Sequence, residues 1–276
     1  MTEQFASVIG DGDRVATIAI CTLASVSNKA YSTHLTFAYR LAKDNPEFKF
    51  LLFTPYRMTI ANFRTAAAKA ALDSGSEYLM FVDDDAVLIH HHSSLFKALK
   101  DKIDGDENKH IIMPVVYVRG YPFPPMFFKW VKDPDLVTEG KGLTFYTNWK
   151  DHPERIDENG LLEVAAIGCH TCLIKTEVFK GMEEPYFMTG MYNTEDVYFC
   201  MKCHDYIDNI GIYVDTTLHS SHLLDPLYVN DENVETLKKF YKELNLMETI
   251  DWPSLINIQP PRIEEEVGEM GEDFEQ

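Results

Sequence analysis

The stretch Glu77-Tyr78-Leu79-Met80-Phe81-Val82-Asp83-Asp84-Asp85 joins an apolar run directly to three carboxylates. Apolar runs of about four to eight residues that end at polar groups are typical of buried central strands in α/β sheets. Ligands of such sheets bind just outside the carboxyl ends of the strands. The three carboxylates are therefore predicted to lie where a ligand would bind.

The spacing of these acids indicates a metal site. Asp83 and Asp85 are two residues apart and would share one face of an extended strand, with Asp84 on the other face. Two converging oxygen ligands suit Mg²⁺ or Mn²⁺, and such an ion usually also holds substrate phosphates. The alternative is a helix that begins with acids, because acids favour the first turn.

Length and composition predict one domain. The 276 residues, 45% of them hydrophobic, can bury one large α/β core or two small ones, and one domain is the simpler interpretation. We expect a single domain over residues 12–260 and an acidic tail over 261–276. The segment Glu264–Gln276 holds seven acids and no base, a composition typical of disorder.

Charge and hydropathy narrow the class of partner. The formal net charge is -19, so a nucleic acid would be repelled at long range. No run approaches the roughly 18 apolar residues of a membrane helix. The start Met1-Thr2-Glu3-Gln4 lacks the order of a secretory signal. These features predict a soluble, cytoplasmic protein.

Hydrophobic periodicity predicts strands alternating with helices, which is typical of a parallel sheet with helices on its faces. A proline-containing loop at Arg119–Pro125 is interpreted either as an ordered, ligand-facing loop or as a packed surface loop. The predicted strands cover 15–22, 48–53, 78–83, 110–117, 164–174 and 211–217, the predicted helices cover 32–43, 60–72, 95–102 and the segment from 195, and residues 128–159 are expected to be irregular.

Four of the five cysteines form two CxxC pairs, Cys169/Cys172 and Cys200/Cys203. Their separation of about 27 residues exceeds the usual zinc-ribbon spacing of about 15–20. The first pair lies in an apolar run, where an odd offset on a strand sends side chains to opposite faces. We expect buried, reduced thiols rather than a zinc site.

Acids also begin a helix in the second half of the chain. Glu195 and Asp196 follow Asn193 and Thr194, either of which could cap the helix. A capping role alone could explain these acids. His219 and His222 follow a predicted late strand, and a lone histidine in such a place is more often structural than a ligand.

In this order the motifs resemble nucleotide-sugar glycosyltransferases of the GT-A fold, in the family-2-like group common in phages, large viruses and bacteria. The likeness covers roughly residues 15–222. It includes a DxD-like strand, the segment after the next strand, a glycine-containing acceptor-side strand, an "ED" motif, and a final strand with a histidine. These are Tyr78–Asp85, Val116–Pro125, Ala166–Ile174, Thr194–Asp196 and Val214–His222.

The resemblance implies a Rossmann-like, mostly parallel central sheet with helices on both faces. It makes Asp85 and His222 metal ligands, with His219 as the reserve ligand. Asp83 would lie near the metal or the ribose, and Asp84 would support the site. A mixed carboxylate and imidazole set favours Mn²⁺ over Mg²⁺.

The same resemblance assigns the chemistry. Asp196 would be the base that takes the acceptor's proton, and Glu195 would orient either that base or the acceptor, with inversion at the anomeric carbon. Thr22 and Arg64 would contact the nucleotide, although Arg64 could instead be a surface helix residue. The donor is expected to be a UDP-sugar, and the acceptor a hydroxyl of a glycan, a protein or another molecule.

One position departs from the family pattern. His170 replaces the second glycine of the acceptor-side strand, and its bulk would intrude where an acceptor or sugar approaches. Three other classes of function remain open: a metal-dependent phosphohydrolase, a catalytically silent nucleotide-sugar binder, and a zinc-stabilised interaction module.

Overall fold

A computed structural model of the protein describes residues 7–21, 27–54, 58–88, 94–132, 141–190, 194–224, 227–231 and 233–243. Its strands are β1 (Ser7–Ile9), β2 (Arg14–Cys21), β3 (Phe48–Phe53), β4 (Tyr78–Asp83), β5 (Ala86–Val87), β6 (Ile111–Val115), β7 (Phe127–Lys132), β8 (Lys141–Phe145), β9 (Leu161–Glu163), β10 (Ala166–Ile167), β11 (Thr171–Lys175), β12 (Ile212–His219), β13 (Ser221–Leu224) and β14 (Leu227–Val229). Its α-helices are α1 (Asn28–Asp44), α2 (Ile60–Asp73), α3 (Leu95–Ile103), α4 (Glu195–Tyr206) and α5 (Val234–Glu243), and short 3₁₀ helices span Trp149–Asp151, Pro153–Arg155 and Thr176–Phe179.

The central sheet has eight strands in the order β1-β3-β2-β4-β11-β6-β12-β9. Strand β2 pairs in parallel with β3 and β4, and β12 pairs in parallel with β6. Strand β11 runs antiparallel to both of its neighbours, β4 and β6, and the two edge strands are also antiparallel. Strands β2, β3, β4, β6 and β12 therefore share one direction, which confirms the predicted α/β class with a mostly parallel sheet.

Alternate side chains of β4 enter two separate cores. Tyr78, Met80 and Val82 pack on the side that carries α1 and α3. Leu79 and Phe81 pack on the opposite side, with α2 and α4. Because successive strand residues point to opposite faces, this division confirms the predicted helices on both faces of the sheet.

Helix α2 lies on the sheet through alanine side chains. Alanine has the highest intrinsic helix propensity and adds little bulk, so the helix axis can approach the strands closely. This approach places Arg64, one residue after the buried Phe63, beneath the carboxyl end of β4. The buried alanines of this helix are Ala61, Ala67, Ala68, Ala70 and Ala71.

The strand order reverses between β2 and β4, and we call the space outside their carboxyl ends the crevice. The chain runs from β2 through α1 to β3, then through α2 to β4 on the other side of β2. Cys21, the last residue of β2, pairs with Asp83, the last residue of β4. In open α/β sheets, ligands bind at such a reversal of strand order.

A small sheet, β14-β13-β5, brings a distant segment to this crevice. His222 of β13 pairs with Ala86 of β5, which directly follows Asp85. The Leu223 amide also donates to the carbonyl oxygen of Asp85 at 2.9 Å. Backbone pairing therefore fixes His222 beside Asp85, although 137 residues separate them in the chain.

Two sequence-based expectations for the second half are wrong. Residues 128–159, expected to be irregular, contribute to β7 and contain all of β8, because stacked aromatic pairs such as Phe128 and Phe145 (4.7 Å between ring centroids) pack these strands together. The segment 164–174, expected to be one strand, is divided into β10 and β11 by a turn at residues 168–170.

The predicted domain bounds, 12–260, stay a prediction, because residues 244–276 lie outside the described part of the chain. That part includes the predicted acidic tail. Within the described ranges, the helices are all too short or too polar to cross a membrane.

Candidate active site

The three acids after β4 have different surroundings. Strand β4 ends at Asp83, and Asp84 and Asp85 form a turn that leads into β5. The prediction that Asp83 and Asp85 share one face of an extended strand is therefore wrong, because the chain leaves the strand before Asp85. A helix does not follow these acids either, so the helix-start alternative is also wrong.

Asp85 forms a cluster with two histidines that are remote in sequence. Its Oδ2 lies 3.1 Å from Nε2 of His222, and its Oδ1 lies 3.6 Å from Nε2 of His170. The two imidazole rings are 4.5 Å apart between centroids. One ligand atom from each residue falls within 4.8 Å of the other two, which is a spacing that could hold a metal ion. We call these three residues the metal cluster.

Hydrogen bonds on the far side of each ring orient the two imidazoles. Nδ1 of His222 lies 3.1 Å from the carbonyl oxygen of Tyr117, which can only accept, so this nitrogen carries the proton. Nδ1 of His170 lies 3.0 Å from the hydroxyl of Thr171. Such partners fix the ring and leave Nε2 for a metal. Nε2 of His170 is buried and has no hydrogen-bond partner among the described residues, which an ion at the cluster would supply.

The electrostatics of the cluster favour its metal-binding protonation states. Burial would raise the pKa of Asp85, but the hydrogen bond and charge of His222, with the charges of His170 and Arg119, lower it to about 2. Burial and the charge of His222 lower the pKa of His170 well below its usual value. A carboxylate and a neutral imidazole are the forms that bind metals.

Arg64 lies beneath the site rather than in it. It is 2% exposed, and its guanidinium donates to both oxygens of Asp83 (3.1 and 3.2 Å), to Oε1 of Glu195 (3.1 Å) and to the carbonyl oxygen of Cys169 (2.9 Å). Burial excludes the alternative of a surface helix residue. The predicted contact of Arg64 with the nucleotide is also not what the geometry shows, because its donors face protein acceptors.

Glu195 and Asp196 begin α4, where Glu195 contacts Arg64 and Asp196 contacts the backbone of Cys169. Their exposures are 8% and 9%, and Thr194 is the residue before the helix. The hydroxyl of Thr194 donates to Asp196 instead of capping the backbone. Asp196 Oδ1 accepts from the Val197 amide at 2.8 Å, so this acid does satisfy one free amide of the helix start. That contact supports a partly structural role for Asp196.

One cation therefore pairs with two carboxylates, the buried Glu195 and the partly buried Asp83. Arg64 binds Asp83 and Glu195 directly, and Asp196 adds a further negative charge beside Glu195. Burial raises the pKa of Asp83 to about 7, although the charge of Arg64 lowers it. Burial and the charge of Asp196 likewise raise the pKa of Glu195. The region holds excess negative charge, which a bound cation would offset.

The turn between β10 and β11 connects these groups. A Cβ on Gly168 would lie 3.3 Å from Oδ2 of Asp196 and 2.6 Å from the side chain of Met126, so glycine allows this close approach. The amide of Cys169 donates to the same Asp196 oxygen at 3.3 Å. The next residue, His170, belongs to the metal cluster. Sequence reasoning treated His170 only as an obstacle and missed this position.

The cysteines are buried, as expected, and carry free thiols in the described structure. The expectation that Cys169 and Cys172 point to opposite faces is wrong. Cys169 lies in the turn before β11, so both side chains enter the same core, where they are close enough to hydrogen bond. Burial raises the pKa of the thiols of Cys200 and Cys203, which makes them poor metal ligands and nucleophiles.

The loop Arg119–Pro125 is ordered by backbone hydrogen bonds. The amide of Val118 donates to the carbonyl of Pro124 at 2.9 Å, and Phe123 is fully buried. Arg119 Nη1 donates to Oδ2 of Asp85 at 2.8 Å. On another side, the loop borders a cavity of about 280 Å³ lined by residues that include Tyr117, Pro122, Pro124, Pro125, Trp149 and Lys150.

The remaining predicted site residues are placed as follows. Thr22 lies outside the described residues, one position after Cys21. Asp84 is half-buried in the turn after β4. His219 ends β12, with a buried Nδ1 that lacks a hydrogen-bond partner in the described parts of the chain, but the metal cluster contains His222.

No family model and no curated protein matches the sequence. Among solved structures, A197 from STIV is similar with a TM-score of 0.47 and 19% identity, over 77% of this chain and 86% of that chain. GalNAc-T7, solved with UDP, GalNAc and Mn²⁺, gives 0.42 and 13%, over 73% and 42%. The 4-diphosphocytidyl-2C-methyl-D-erythritol synthase of Anaerococcus prevotii DSM 20548 gives 0.41 and 12%, over 83% and 96%. The functional conclusion therefore depends on the residues of the site.

Proposed function

We propose that the protein is a metal-dependent glycosyltransferase that moves a sugar from a nucleoside-diphosphate sugar, a UDP-sugar in the first instance, to an acceptor hydroxyl with inversion. The observation that carries this proposal is the metal cluster of Asp85, His170 and His222 at the carboxyl end of β4. It lies at the reversal of strand order where α/β sheets bind ligands. A second acidic centre, at the start of α4, contacts the turn between β10 and β11 that also contains His170.

We propose that the ion is held by Asp85, His170 and His222. Asp83, which the sequence predicted as a further ligand, is here a supporting residue. Arg64 holds the carboxylate of Asp83 at the end of β4, where the nucleotide would bind in this proposal. Two imidazoles and one carboxylate favour Mn²⁺ over Mg²⁺. When bound, the ion supplies Lewis-acid stabilisation of the charge that develops on the departing diphosphate.

Asp196 is the base in this proposal. Its Oδ2 is held by the amide of Cys169, and its Oδ1 by the amide of Val197 and the hydroxyl of Thr194, so the carboxylate is fixed before the acceptor arrives. It removes the proton of the acceptor hydroxyl as that oxygen attacks the anomeric carbon. Glu195 is a positioning residue, because it ties the first turn of α4 to Arg64.

Thr22 and Asp84 complete the proposed donor site. Thr22 follows the end of β2, which is the strand beside β4 at the crevice. Asp84 lies between the acid that Arg64 binds and the acid of the metal cluster. The proposed setting is the cytoplasm, where nucleotide sugars are available as donors. The acceptor is a hydroxyl of a glycan, a protein or another molecule.

Calorimetric titration with UDP tests the donor half of the proposal. Wild-type protein should bind UDP in the presence of Mn²⁺ and lose most of that affinity with EDTA, because the ion joins the cluster to the diphosphate. Equal affinity in both conditions would refute the metal bridge. Tight binding of another nucleotide instead would correct only the identity of the donor.

UDP release from UDP-sugars, with and without a panel of hydroxyl acceptors, tests the reaction class. Acceptor-dependent release supports a glycosyltransferase. Release that ignores acceptors indicates a phosphohydrolase, which could use the same cluster. Metal-dependent binding with neither activity indicates a silent nucleotide-sugar binder.

A further inference from the structure

We propose that Arg119 exchanges between two anions: it neutralises Asp85 in the metal-free protein, and it binds the diphosphate of the donor once a metal ion takes Asp85. This inference rests on the proposed function. It assigns a binding role to a residue on the loop after β6, outside the metal cluster. It also predicts that the metal ion binds before the nucleotide.

The first step is that Arg119 and a bound metal ion would compete for one oxygen atom of Asp85. Oδ2 of Asp85 accepts from Nη1 of Arg119 at 2.8 Å and lies 3.1 Å from Nε2 of His222. A metal ion shared by Asp85 and His222 would need this oxygen. Guanidinium stays protonated and has no lone pair for a metal, so Arg119 cannot join the ligand set. A divalent ion at Oδ2 would also repel the guanidinium and take up the carboxylate charge that holds it, so metal binding weakens the pair and releases Arg119.

The second step is where the displaced guanidinium can go. The side chain of Arg119 is 60% exposed, so its outer part can turn without rearranging the core. The base of its loop is fixed by the bond between Val118 and Pro124 and by the pairing of Tyr117 with Pro125. Arg119 must therefore remain beside the cluster after displacement. A Cβ built on the neighbouring Gly120 would meet no heavy atom of a non-adjacent residue within 4 Å.

The third step is charge. The protein carries a formal net charge of -19, and the excess carboxylates around Arg64 make the crevice unfavourable for a dianionic diphosphate. Arg64 faces inward and donates to protein acceptors. Arg119 is a cation at the open side of the cluster, and its planar fork can donate two parallel hydrogen bonds to phosphate oxygens.

Exchange predicts opposite effects of one substitution on two affinities. Removing the guanidinium should strengthen Mn²⁺ binding to the protein alone, because a competitor for Asp85 is lost. It should weaken UDP binding to the Mn²⁺-loaded protein, because a phosphate ligand is lost. A purely structural Arg119 would weaken both affinities, and a simple phosphate ligand would leave Mn²⁺ affinity unchanged.

The test compares wild-type protein, Arg119→Gln and the control Arg155→Gln, which changes an exposed arginine of a 3₁₀ helix. Mn²⁺ binding is measured alone, and UDP binding is then measured at saturating Mn²⁺. For Arg119→Gln we expect Mn²⁺ affinity to rise about threefold or more, as for loss of a partly exposed ion pair. We expect UDP affinity to fall about tenfold, and Arg155→Gln to match wild type.

Unchanged or weaker Mn²⁺ binding in Arg119→Gln would overturn the exchange, and so would unchanged UDP affinity. Arg119→Lys separates charge from geometry: exchange through the planar fork predicts UDP affinity between those of wild type and Arg119→Gln. Failure of wild-type protein to bind UDP with Mn²⁺ would refute the proposed function instead, while the Mn²⁺ titration alone would still decide the competition for Asp85.

Discussion

Nη2 of Arg64 lies 3.1 Å from Oδ1 and 3.2 Å from Oδ2 of Asp83, so a buried helix residue holds the carboxylate that ends the central strand. The ring of Phe81 lies under the same guanidinium, 5.0 Å from its carbon. Arg64 therefore joins α2 to β4 at the floor of the crevice.

Replacing Arg64 by methionine should destabilise the protein severely. The variant leaves the buried Glu195 and the partly buried Asp83 without their cation, and breaking a buried ion pair in this way costs about 3–5 kcal/mol. Urea unfolding measures the change. The control is Lys69→Met on the same helix, which removes an exposed pair with Glu184 and should cost about 0–1 kcal/mol. Unchanged stability of Arg64→Met with weaker UDP binding would restore the predicted nucleotide contact.

Replacing either cluster histidine by asparagine should abolish Mn²⁺ binding. Asparagine keeps an amide near the Nδ1 position, which contacts Tyr117 or Thr171, and removes Nε2. Wild-type protein should gain about 2.7 kcal/mol of stability at Mn²⁺ a hundredfold above its dissociation constant, and lose it with EDTA. Thermal unfolding with and without Mn²⁺ measures this. His219→Asn is the matched control, and loss of the Mn²⁺ effect there would make His219 the ligand.

Replacing Asp196 by asparagine should lower transfer by about 10²–10⁴-fold while leaving metal-dependent UDP affinity nearly unchanged, because the amide cannot accept the acceptor's proton. Asparagine also places a donor near the amide of Cys169 or Val197, so some stability is lost and turnover should be measured well below the unfolding temperature. Asp205→Asn, at an exposed position of the same helix, is the control.

The activity of Asp196→Asn distinguishes a catalytic role of Asp196 from a structural one. Full activity of Asp196→Asn would leave Asp196 with a structural role only, through the amides that it binds. By contrast, Asp85→Asn should weaken metal-dependent UDP binding, because it removes a charged ligand of the cluster.

Replacing Glu195 by glutamine should change how stability depends on pH. The pKa of Glu195 is raised above its usual 4.5 by burial and by the charge of Asp196, so the folded state favours the protonated acid. The stability that this group contributes is full below pH 4.5 and is lost as the pH rises through its folded pKa. Glutamine cannot ionise and can still accept from Arg64.

The melting temperature of Glu195→Gln minus that of wild type should therefore grow as the pH rises above 4.5. Thermal unfolding from pH 4 to pH 8 measures the difference, with Glu177→Gln at an exposed position as the control. A difference that is constant across this range would show that Glu195 is ionised throughout, and that Arg64 offsets the burial.

The first half of the fold could be predicted because its signals are local. The bounds of β3 match the prediction, β4 ends at the predicted Asp83, and α2 begins where the alanine-rich pattern begins. Strands β7 and β8 could not be predicted in this way, because they are stabilised by aromatic pairs between separate segments. Phe128 and Phe145 stack across 17 positions of sequence, and neither strand has a long apolar run.

Asp85 could be predicted as a possible metal ligand because it follows the end of β4 closely, whereas the catalytic role of Asp196 stays a prediction. His170 was missed as a cluster member because its position depends on a turn inside an otherwise apolar segment. A usable signal was present: a histidine within the run Val164–Ile174 must find polar partners once it is buried. The partner His222 could be named only from the family resemblance, because pairing of β13 with β5 places it.

Gly168, Cys169 and His170 are consecutive, and each is tied to a different part of the site. Gly168 borders Asp196, Cys169 holds Arg64 through its carbonyl, and His170 enters the metal cluster. An insertion or deletion of one residue here would disturb all of these contacts together. Under the proposed function, a change of acceptor would therefore have to come from substitution of bordering side chains, such as Met126 against Gly168, and not from a change in the length of this turn.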